Sequence, residues 1–175
     1  MKLILMMAMT ADGIIAKDKT QNADWTSKAD KRVFIAETKK HGAIIMGETT
    51  FEAMGGRALP GRLNLILSMT PERYATRAVA GALEFLNAPP TGVVEYLEAK
   101  NFQSAILGGG ARTNASFLRA GLVDEIWLTV EPKVFGAGLN FTEGEVLDLN
   151  LELLEAEKIG DNAVLLKYRI VKEHG

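Results

Sequence analysis

Apolar residues along this chain occur in short runs that alternate with amphipathic and polar segments. The first run extends from Met1 to Met9 and is interrupted only by Lys2. Further runs of strand length follow at 43–47, 63–68, 82–86, 104–107 and 124–130. Short apolar runs bounded by turns are typical of buried strands in parallel sheets. Between these runs, apolar spacing and capping residues predict helices at 27–41, 49–54, 91–100 and 111–120.

The helix at 27–41 carries the clearest start and stop signals. Ser27 and Asp30 have the spacing of a capping box, in which a hydroxyl and a carboxylate satisfy the first free N–H groups. Lys39, Lys40 and His41 place cations at the negative end of the helix dipole. Gly42 then predicts the end of the helix, because glycine readily adopts the left-handed conformation of a C-terminal cap.

The C-terminal part of the chain predicts a different kind of pairing. Strands at 151–158 and 163–171 are joined at Gly160-Asp161-Asn162, a turn typical of an antiparallel hairpin. We therefore expect an α/β fold in one domain spanning 1–175. Its mostly parallel central sheet has about eight strands with an antiparallel C-terminal hairpin, and about four helices flank it. Ligands of such sheets bind at the carboxyl ends of the strands, where Gly47 and Gly108–Gly110 fall.

Composition narrows the range of functions. The 175 residues include 20 Lys and Arg against 22 Asp and Glu, a net charge of −2, which disfavours nucleic-acid binding. There is no cysteine, and the two histidines are His41 and His174, so we predict no metal site and no thiol nucleophile. No apolar run approaches the roughly 20 residues of a membrane span. The N-terminal run meets the polar turn at Thr10–Gly13 without a cleavage pattern, and we expect a cytoplasmic protein.

Two features have the chemistry of a binding site, each with a structural alternative. Gly108–Gly110 lies between a strand and a helix, where bare backbone lets a diphosphate approach the helix N-terminus, although a tight turn explains three glycines equally well. Asp30 is either the second half of the capping box or a carboxylate that binds an amidine-like N–C–NH₂ edge and assists protonation. Phe34, one helical turn later, would place that carboxylate beside apolar surface.

Three other positions have ordinary default interpretations. Trp25 precedes the helix and is interpreted as a hydrophobic staple or as a ligand contact. Arg62 in a Pro-Gly-Arg turn is by default a solvated cation, and Thr129 a half-buried strand residue. None of the three indicates a function alone.

Taken together, these motifs resemble dihydrofolate reductase over most of the chain. The resemblance rests on five segments in order: Trp25-x4-Asp30-x3-Phe34, Ile45-Met46-Gly47-x-Thr49-Thr50-Phe51-Glu52, Leu59-Pro60-Gly61-Arg62-x-Asn64-x-Ile66-Leu67-Ser68, Gly108–Gly110 and Leu128-Thr129. Residues 108–125 and Phe135–Gly138 are also similar to the riboflavin-pathway pyrimidine reductase domain, which has the same fold. The sequence is intermediate between the two groups.

The resemblance implies a role for each group of residues. Asp30 would bind the pterin N3 and 2-amino edge and promote protonation of N5. Thr129 would hydrogen-bond the Asp30 carboxylate. Trp25 would lie at the end of a mobile loop, at about 16–24, that closes over the nicotinamide. The implied substrate-binding residues are Met6, Met7, Ala8, Phe34, Met54 and Arg62, the last paired with the glutamate carboxylate of folate. The implied cofactor-binding residues are Ala8, Ile15, Gly47, Glu48, Thr49, Thr50, Ser68, Gly108, Gly109, Gly110, Ala111 and Arg112. The family also implies a cis peptide between the first two of the three glycines.

The implied cofactor is NADPH, with NADH left open by one departure from the family pattern. Glu48 stands where the reductases usually have an arginine for the 2′-phosphate, and Met69 replaces a common hydroxyl residue. Arg73, Arg77 or Arg112 are alternative partners for that phosphate. We therefore expect a weakened preference for NADPH over NADH.

The leading hypothesis is an NAD(P)H-dependent dihydrofolate reductase that acts on a small molecule as a monomer or homodimer. The alternative is a reductase of a ribosylaminopyrimidine or another small substrate on the same fold. A third hypothesis is a non-catalytic nucleotide-binding module, with a homodimer face formed by the strand of Trp127 and by residues 136–138.

Overall fold

The computed structural model describes residues 1–18, 20–21 and 23–172, and contains eight strands and four α-helices in this part of the chain. The strands are β1 (Lys2–Thr10), β2 (Ala43–Gly47), β3 (Leu63–Leu67), β4 (Leu83–Leu86), β5 (Ser104–Leu107), β6 (Glu125–Glu131), β7 (Leu151–Ile159) and β8 (Ala163–Ile170). The helices are α1 (Lys28–His41), α2 (Glu48–Ala53), α3 (Pro90–Ala99) and α4 (Ala111–Arg119). His174 and two positions of the predicted 16–24 loop, Lys19 and Asn22, lie outside the described residues.

All eight strands form one sheet in the order β4-β3-β2-β5-β1-β6-β8-β7. The strands from β4 to β6 pair in parallel, whereas β8 pairs antiparallel with both β6 and β7. Strands β1, β2 and β5 are central and lose almost all solvent contact, which explains why their sequences are continuously apolar. The predicted parallel sheet with an antiparallel C-terminal hairpin is confirmed.

Helix α1 begins and ends where its capping residues predict. Ser27 is the N-cap in an extended conformation, and its hydroxyl accepts a hydrogen bond from the Asp30 N–H. At the other end Gly42 is left-handed, with φ of 76°, and its N–H donates to the Lys39 carbonyl. The helix therefore has fixed limits, and its first turn holds Asp30 at the edge of the sheet.

Other elements differ from the prediction by one or two residues at their ends. Helix α2 begins at Glu48 rather than Thr49, directly after Gly47, because the chain turns into a helix as soon as β2 ends. The prediction of a cis peptide between Gly108 and Gly109 is wrong, since the cis bond joins Gly109 and Gly110. The Gly108 N–H donates to the Ile45 carbonyl at 2.9 Å.

Apolar side chains cover both faces of the sheet. One cluster, centred on Leu3, Leu65 and Phe117, lies against α3 and α4, and the other, centred on Ile4, Phe51 and Trp127, lies against α1 and α2. Because both faces are covered, open space is left at the carboxyl ends of the parallel strands. Within the described residues, no helix has the length and apolar character needed to cross a membrane.

Candidate active site

A cavity of about 1070 Å³ opens at the carboxyl ends of the parallel strands. Its floor comes from Met6, Met7 and Ala8 of β1, and its walls come from the first turns of α1, α2 and α4. This volume is at the upper end of the range for ligand pockets, roughly 300–1,000 Å³. The cavity therefore has room for two ring systems side by side.

Most of the residues implied by the resemblance line this cavity. Those that do are Met6, Met7, Ala8, Ile15, Trp25, Asp30, Phe34, Gly47, Glu48, Thr49, Thr50, Met54, Ser68, Gly108, Gly110, Ala111 and Arg112. Thr129 and Gly109 lie directly behind the wall, where Thr129 contacts Asp30 and Gly109 packs near Met7. Arg62 is separate from the cavity lining.

Asp30 is a buried carboxylate on the cavity wall, with 8% of its surface exposed. Burial raises the pKa of Asp30, because a charged carboxylate loses hydration there. Hydrogen bonds from the side chains of Thr129 and Thr26 oppose this increase in pKa, and so does the nearby Lys31 cation. Asp30 is thus held in place by hydroxyl groups and keeps an affinity for protons above that of an ordinary aspartate.

The capping box around Asp30 is only half formed. Ser27 caps the Asp30 N–H, but its own N–H donates to Oε1 of Glu131 at 2.8 Å rather than to Asp30. The two interpretations of Asp30 from the sequence therefore apply to different parts of the residue. Its backbone belongs to the helix cap, whereas its carboxylate faces the cavity.

The triple glycine packs tightly against β2 and α2. The Gly47 N–H donates to the Gly109 carbonyl at 2.8 Å, which joins the two loops. A Cβ on Gly47 would lie 2.7 Å from the Thr113 hydroxyl, and a Cβ on Gly110 would lie 2.8 Å from the Thr50 hydroxyl. Both glycines are therefore needed for close packing, and the hydroxyls of Thr50 and Thr113 lie on the cavity surface beside them.

Glu48 lies at the other end of this wall and is held by two hydroxyl groups. Ser68 donates a hydrogen bond to Glu48 Oε2, and the Tyr74 side chain also bonds this carboxylate. These hydrogen bonds, with a smaller contribution from Arg73, lower the pKa of Glu48. The side chain is therefore anionic at neutral pH.

Two of the three arginines considered as phosphate partners are engaged elsewhere. Arg77 donates to Glu52 at 2.7 Å and to the Gly56 carbonyl at 2.6 Å. Arg112 lines the cavity but pairs with Glu143 at 2.8 Å. Arg73 is the remaining cation, and it acts on Glu48 itself.

Arg62 is buried, with 6% of its surface exposed, so its default interpretation as a solvated cation is wrong. Its guanidinium donates to the carbonyls of Pro60 and Ile35 and to the hydroxyl of Thr38. These bonds join the 59–62 turn to the middle of α1. Sequence reasoning missed this role, because Ile35 and Thr38 are distant along the chain and only the tertiary structure brings them to Arg62.

Trp25 packs edge-to-face on Phe135, with ring centroids 5.1 Å apart, and its buried indole Nε1 has no hydrogen-bond partner among the described residues. The preceding chain is fixed to the segment after β6, because the Ile15 N–H donates to the Leu139 carbonyl at 2.7 Å and the Leu139 N–H to the Ala16 carbonyl at 2.8 Å.

Further residues that line the cavity were not predicted from the sequence, including Thr113, Ser116, Leu139 and Glu143. Helical spacing from Gly110 could have indicated the first two.

The charge on the cavity wall is mainly negative. Within the described residues its carboxylates are Asp18, Asp24, Asp30, Glu48 and Glu143, and its cations are Lys31 and Arg112. Arg112 is paired with Glu143, so part of the positive charge on this wall is already compensated.

Comparison with known proteins places the chain in a family. The family model of the RibD C-terminal domain matches residues 1–60 and 63–165. The chain belongs to the RibD C-terminal domain family. It is also similar to dihydrofolate reductase type 3 of Salmonella typhimurium, with 33% identity over 130 residues, which is 74% of this chain and 71% of that protein.

Solved structures of low identity support the same fold. A pyrimidine reductase-like protein from Corynebacterium diphtheriae superposes with a TM-score of 0.84 at 12% identity, covering 98% of this chain and 92% of that one. Dihydrofolate reductase from Enterococcus faecalis, complexed with NADP(H) and an additional ligand, superposes with a TM-score of 0.67 at 21% identity, covering 98% and 97%. This RibD C-terminal domain protein therefore has the dihydrofolate reductase-like fold, as the sequence predicted.

Proposed function

We propose that this protein reduces 7,8-dihydrofolate to tetrahydrofolate with a reduced nicotinamide nucleotide. The observation that carries this proposal is Asp30, a buried carboxylate on the cavity wall, hydrogen-bonded by Thr129 and Thr26. A carboxylate in this setting matches an N3–H and 2-amino edge, to which it offers two acceptor oxygens. The similarity to dihydrofolate reductase type 3 supports the same substrate.

The reaction adds a hydride to the carbon of a pterin C=N bond and a proton to its nitrogen. The nicotinamide nucleotide supplies the hydride when bound. The chain orients the acceptor ring, with Asp30 at its polar edge and the apolar side chains of Met6, Met7 and Phe34 around its faces. Because burial raises the pKa of Asp30, this group holds a proton to higher pH than an ordinary aspartate and assists its transfer from solvent.

The residues along the other half of the cavity fit a dinucleotide. Gly47 and Gly110 leave no side chain between the backbone and the cavity, and the Thr50 and Thr113 hydroxyls beside them offer hydrogen bonds. Helix α4 begins at Ala111 directly after the glycines, so its free N–H groups face the same space and suit a diphosphate.

For the cofactor itself we propose NADPH or NADH, with a preference for NADPH weaker than usual. Glu48 is anionic and repels a 2′-phosphate but accepts hydrogen bonds from ribose hydroxyls. The engagement of Arg77 and Arg112 by Glu52 and Glu143 supports this proposal, because neither cation is free to offset Glu48.

The second candidate is reduction of a ribosylaminopyrimidine, which the family and the placement of Arg62 favour. The guanidinium of Arg62 is already bonded to Pro60, Ile35 and Thr38, which leaves little of it for the glutamate tail of folate. The Asp30 carboxylate argues the other way, because it matches the amidine-like edge of a pterin.

The variant Asp30→Asn tests the proposal, because it keeps the size of the side chain and removes its charge and its proton. We expect dihydrofolate turnover at pH 7 to fall about 100-fold or more, the usual size of a general acid–base contribution. The matched control is Asp161→Asn in the β7–β8 turn, which should retain the activity of the original chain. The measurement is the loss of reduced-nicotinamide absorbance. Equal turnover by both variants would refute the role of Asp30.

A further inference from the structure

Glu131 is a buried acid that the proposed reaction does not use. It is the last residue of β6, has 2% of its surface exposed, and pairs in register with Thr10 at the end of β1. A carboxylate loses much of its hydration when it is buried at this level, so its position needs a compensating interaction. The compensating bond comes from another element, because Oε1 accepts the N–H of Ser27 at 2.8 Å.

This bond replaces one half of the capping box. In a complete box the third residue of the helix, here Asp30, would accept the N–H of the N-cap residue. Here the carboxylate of Glu131 occupies that role, while Ser27 Oγ still accepts the Asp30 N–H at 3.1 Å. The first turn of α1 is therefore capped from β6, and the Asp30 carboxylate is available to the cavity.

We propose that Glu131 is a positioning residue for Asp30, which fixes the N-terminus of α1 and directs the Asp30 carboxylate, with its proton, toward the substrate. This inference rests on the proposed function, since it assigns Glu131 to the reaction that Asp30 assists.

The geometry of β6 brings the two acids together. Thr129 and Glu131 are two residues apart on one strand, so their side chains lie on the same face of the sheet. Thr129 bonds the Asp30 carboxylate, which places Glu131 beside the same group. The charged side chains that act on Asp30 are Glu131 from β6 and Lys31 from its own helix. Burial is the largest cause of the raised pKa of Asp30. The negative charge of Glu131 raises this pKa further, and the Lys31 cation opposes the increase.

A neighbouring negative charge has a direct use in this reaction. When hydride is added to the carbon of the C=N bond, its nitrogen must gain one proton, which comes from solvent and whose uptake Asp30 assists. A carboxylate that holds its proton to higher pH remains able to assist this step over a wider pH range. Glu131 therefore extends the pH range over which Asp30 works.

The charge-neutral variant Glu131→Gln tests this inference, because it keeps an oxygen acceptor for the Ser27 N–H and removes the negative charge. The readout is the pKa of Asp30 in the ligand-free protein, followed by ¹³C NMR of the carboxyl carbons and assigned with Asp30→Asn. We expect this pKa to fall and the decline of turnover at high pH to move to lower pH. The matched control is Glu125→Gln, since Glu125 is a buried acid at the opposite end of the same strand and bonds Trp127. It should leave the pKa of Asp30 unchanged.

A second variant, Glu131→Leu, tests the hydrogen bond. It leaves the Ser27 N–H without an acceptor, so we expect that amide to exchange with solvent roughly tenfold faster than in Glu131→Gln. If Glu131→Leu does not fold, the titration of Glu131→Gln still decides the inference.

The outcomes separate this inference from the proposed function. A pKa of Asp30 that Glu131→Gln leaves unchanged overturns the inference, even if dihydrofolate is reduced. A pKa that falls in a protein unable to reduce dihydrofolate supports the coupling of the two acids and overturns the proposed function. A fall in pKa together with the shifted pH profile supports both.

Discussion

At the scale of single residues, Glu48 has the most specific consequence for the cofactor. Its carboxylate is anionic and is held by Ser68 and Tyr74 on the cavity wall. We therefore expect the ratio of kcat/KM for NADPH to that for NADH to be below about 100, or roughly 2.7 kcal/mol. Replacing the repelling carboxylate in Glu48→Arg should raise this ratio about tenfold or more, because a guanidinium binds phosphate.

The control for this prediction is Glu95→Arg, which makes the same change of charge on the exposed surface of α3. It should leave the cofactor ratio close to that of the original chain. Steady-state kinetics with both cofactors measure the ratio. A preference for NADPH well above 100-fold in the unmodified protein would contradict the assignment of Glu48.

Residue roles could be predicted from the sequence where the partners are close along the chain. Asp30 and Ser27 are three residues apart, and one of the two bonds of the expected capping box, from the Asp30 N–H to the Ser27 hydroxyl, is confirmed. The burial of Arg62 and the bond from Ser27 to Glu131 could not be predicted in this way. Ser27 and Glu131 are 104 positions apart, and nothing in their local patterns indicates that β6 ends beside α1.

At the scale of elements, the N-terminus of α1 is the part of the fold that most directly affects the site. Ser27→Ala removes the hydroxyl that accepts the Asp30 N–H. We expect this variant to lower the free energy of unfolding by about 1 kcal/mol, the usual effect of losing an N-cap side chain. It should also lower turnover, because Asp30 lies in the turn that loses its cap. Urea unfolding measures the first effect.

Ser116→Ala provides the comparison, since the Ser116 hydroxyl donates to the Thr113 carbonyl inside α4, where alanine is a better helix former. Its free energy of unfolding should be unchanged or higher. Equal destabilisation by the two variants would show that the Ser27 cap has no special role.

The elements themselves could largely be predicted, because their signals are local. Gly42 ends α1 as expected, and the apolar runs of β2 and β5 are strands with the predicted limits. The cis bond between Gly109 and Gly110 could not be predicted from the run of three glycines. Gly108 remains hydrogen-bonded to Ile45, an interaction between distant segments that no local pattern of three glycines contains.

At the scale of the whole molecule, the cavity exists because the chain brings together strand ends that are far apart in sequence. Met7 on β1, Gly47 at the end of β2 and Gly110 after β5 meet at one edge of the sheet. The alternation of strands and helices predicts that edge as the place of the site. The strand order could not be predicted in this way, because it depends on how the complete sheet packs. The placement of Thr113 and Leu139 on the cavity wall could not be predicted for the same reason.

The central claim is that the cavity accepts a pterin with an amidine edge at Asp30. The most direct test measures kcat/KM of the unmodified protein for dihydrofolate and for a ribosylaminopyrimidine phosphate, each with NADPH and with NADH. We predict that dihydrofolate is preferred at least about tenfold, a difference of roughly 1.4 kcal/mol. Turnover of the ribosylaminopyrimidine with little or none of dihydrofolate would contradict this claim and assign the protein to the pyrimidine reductases.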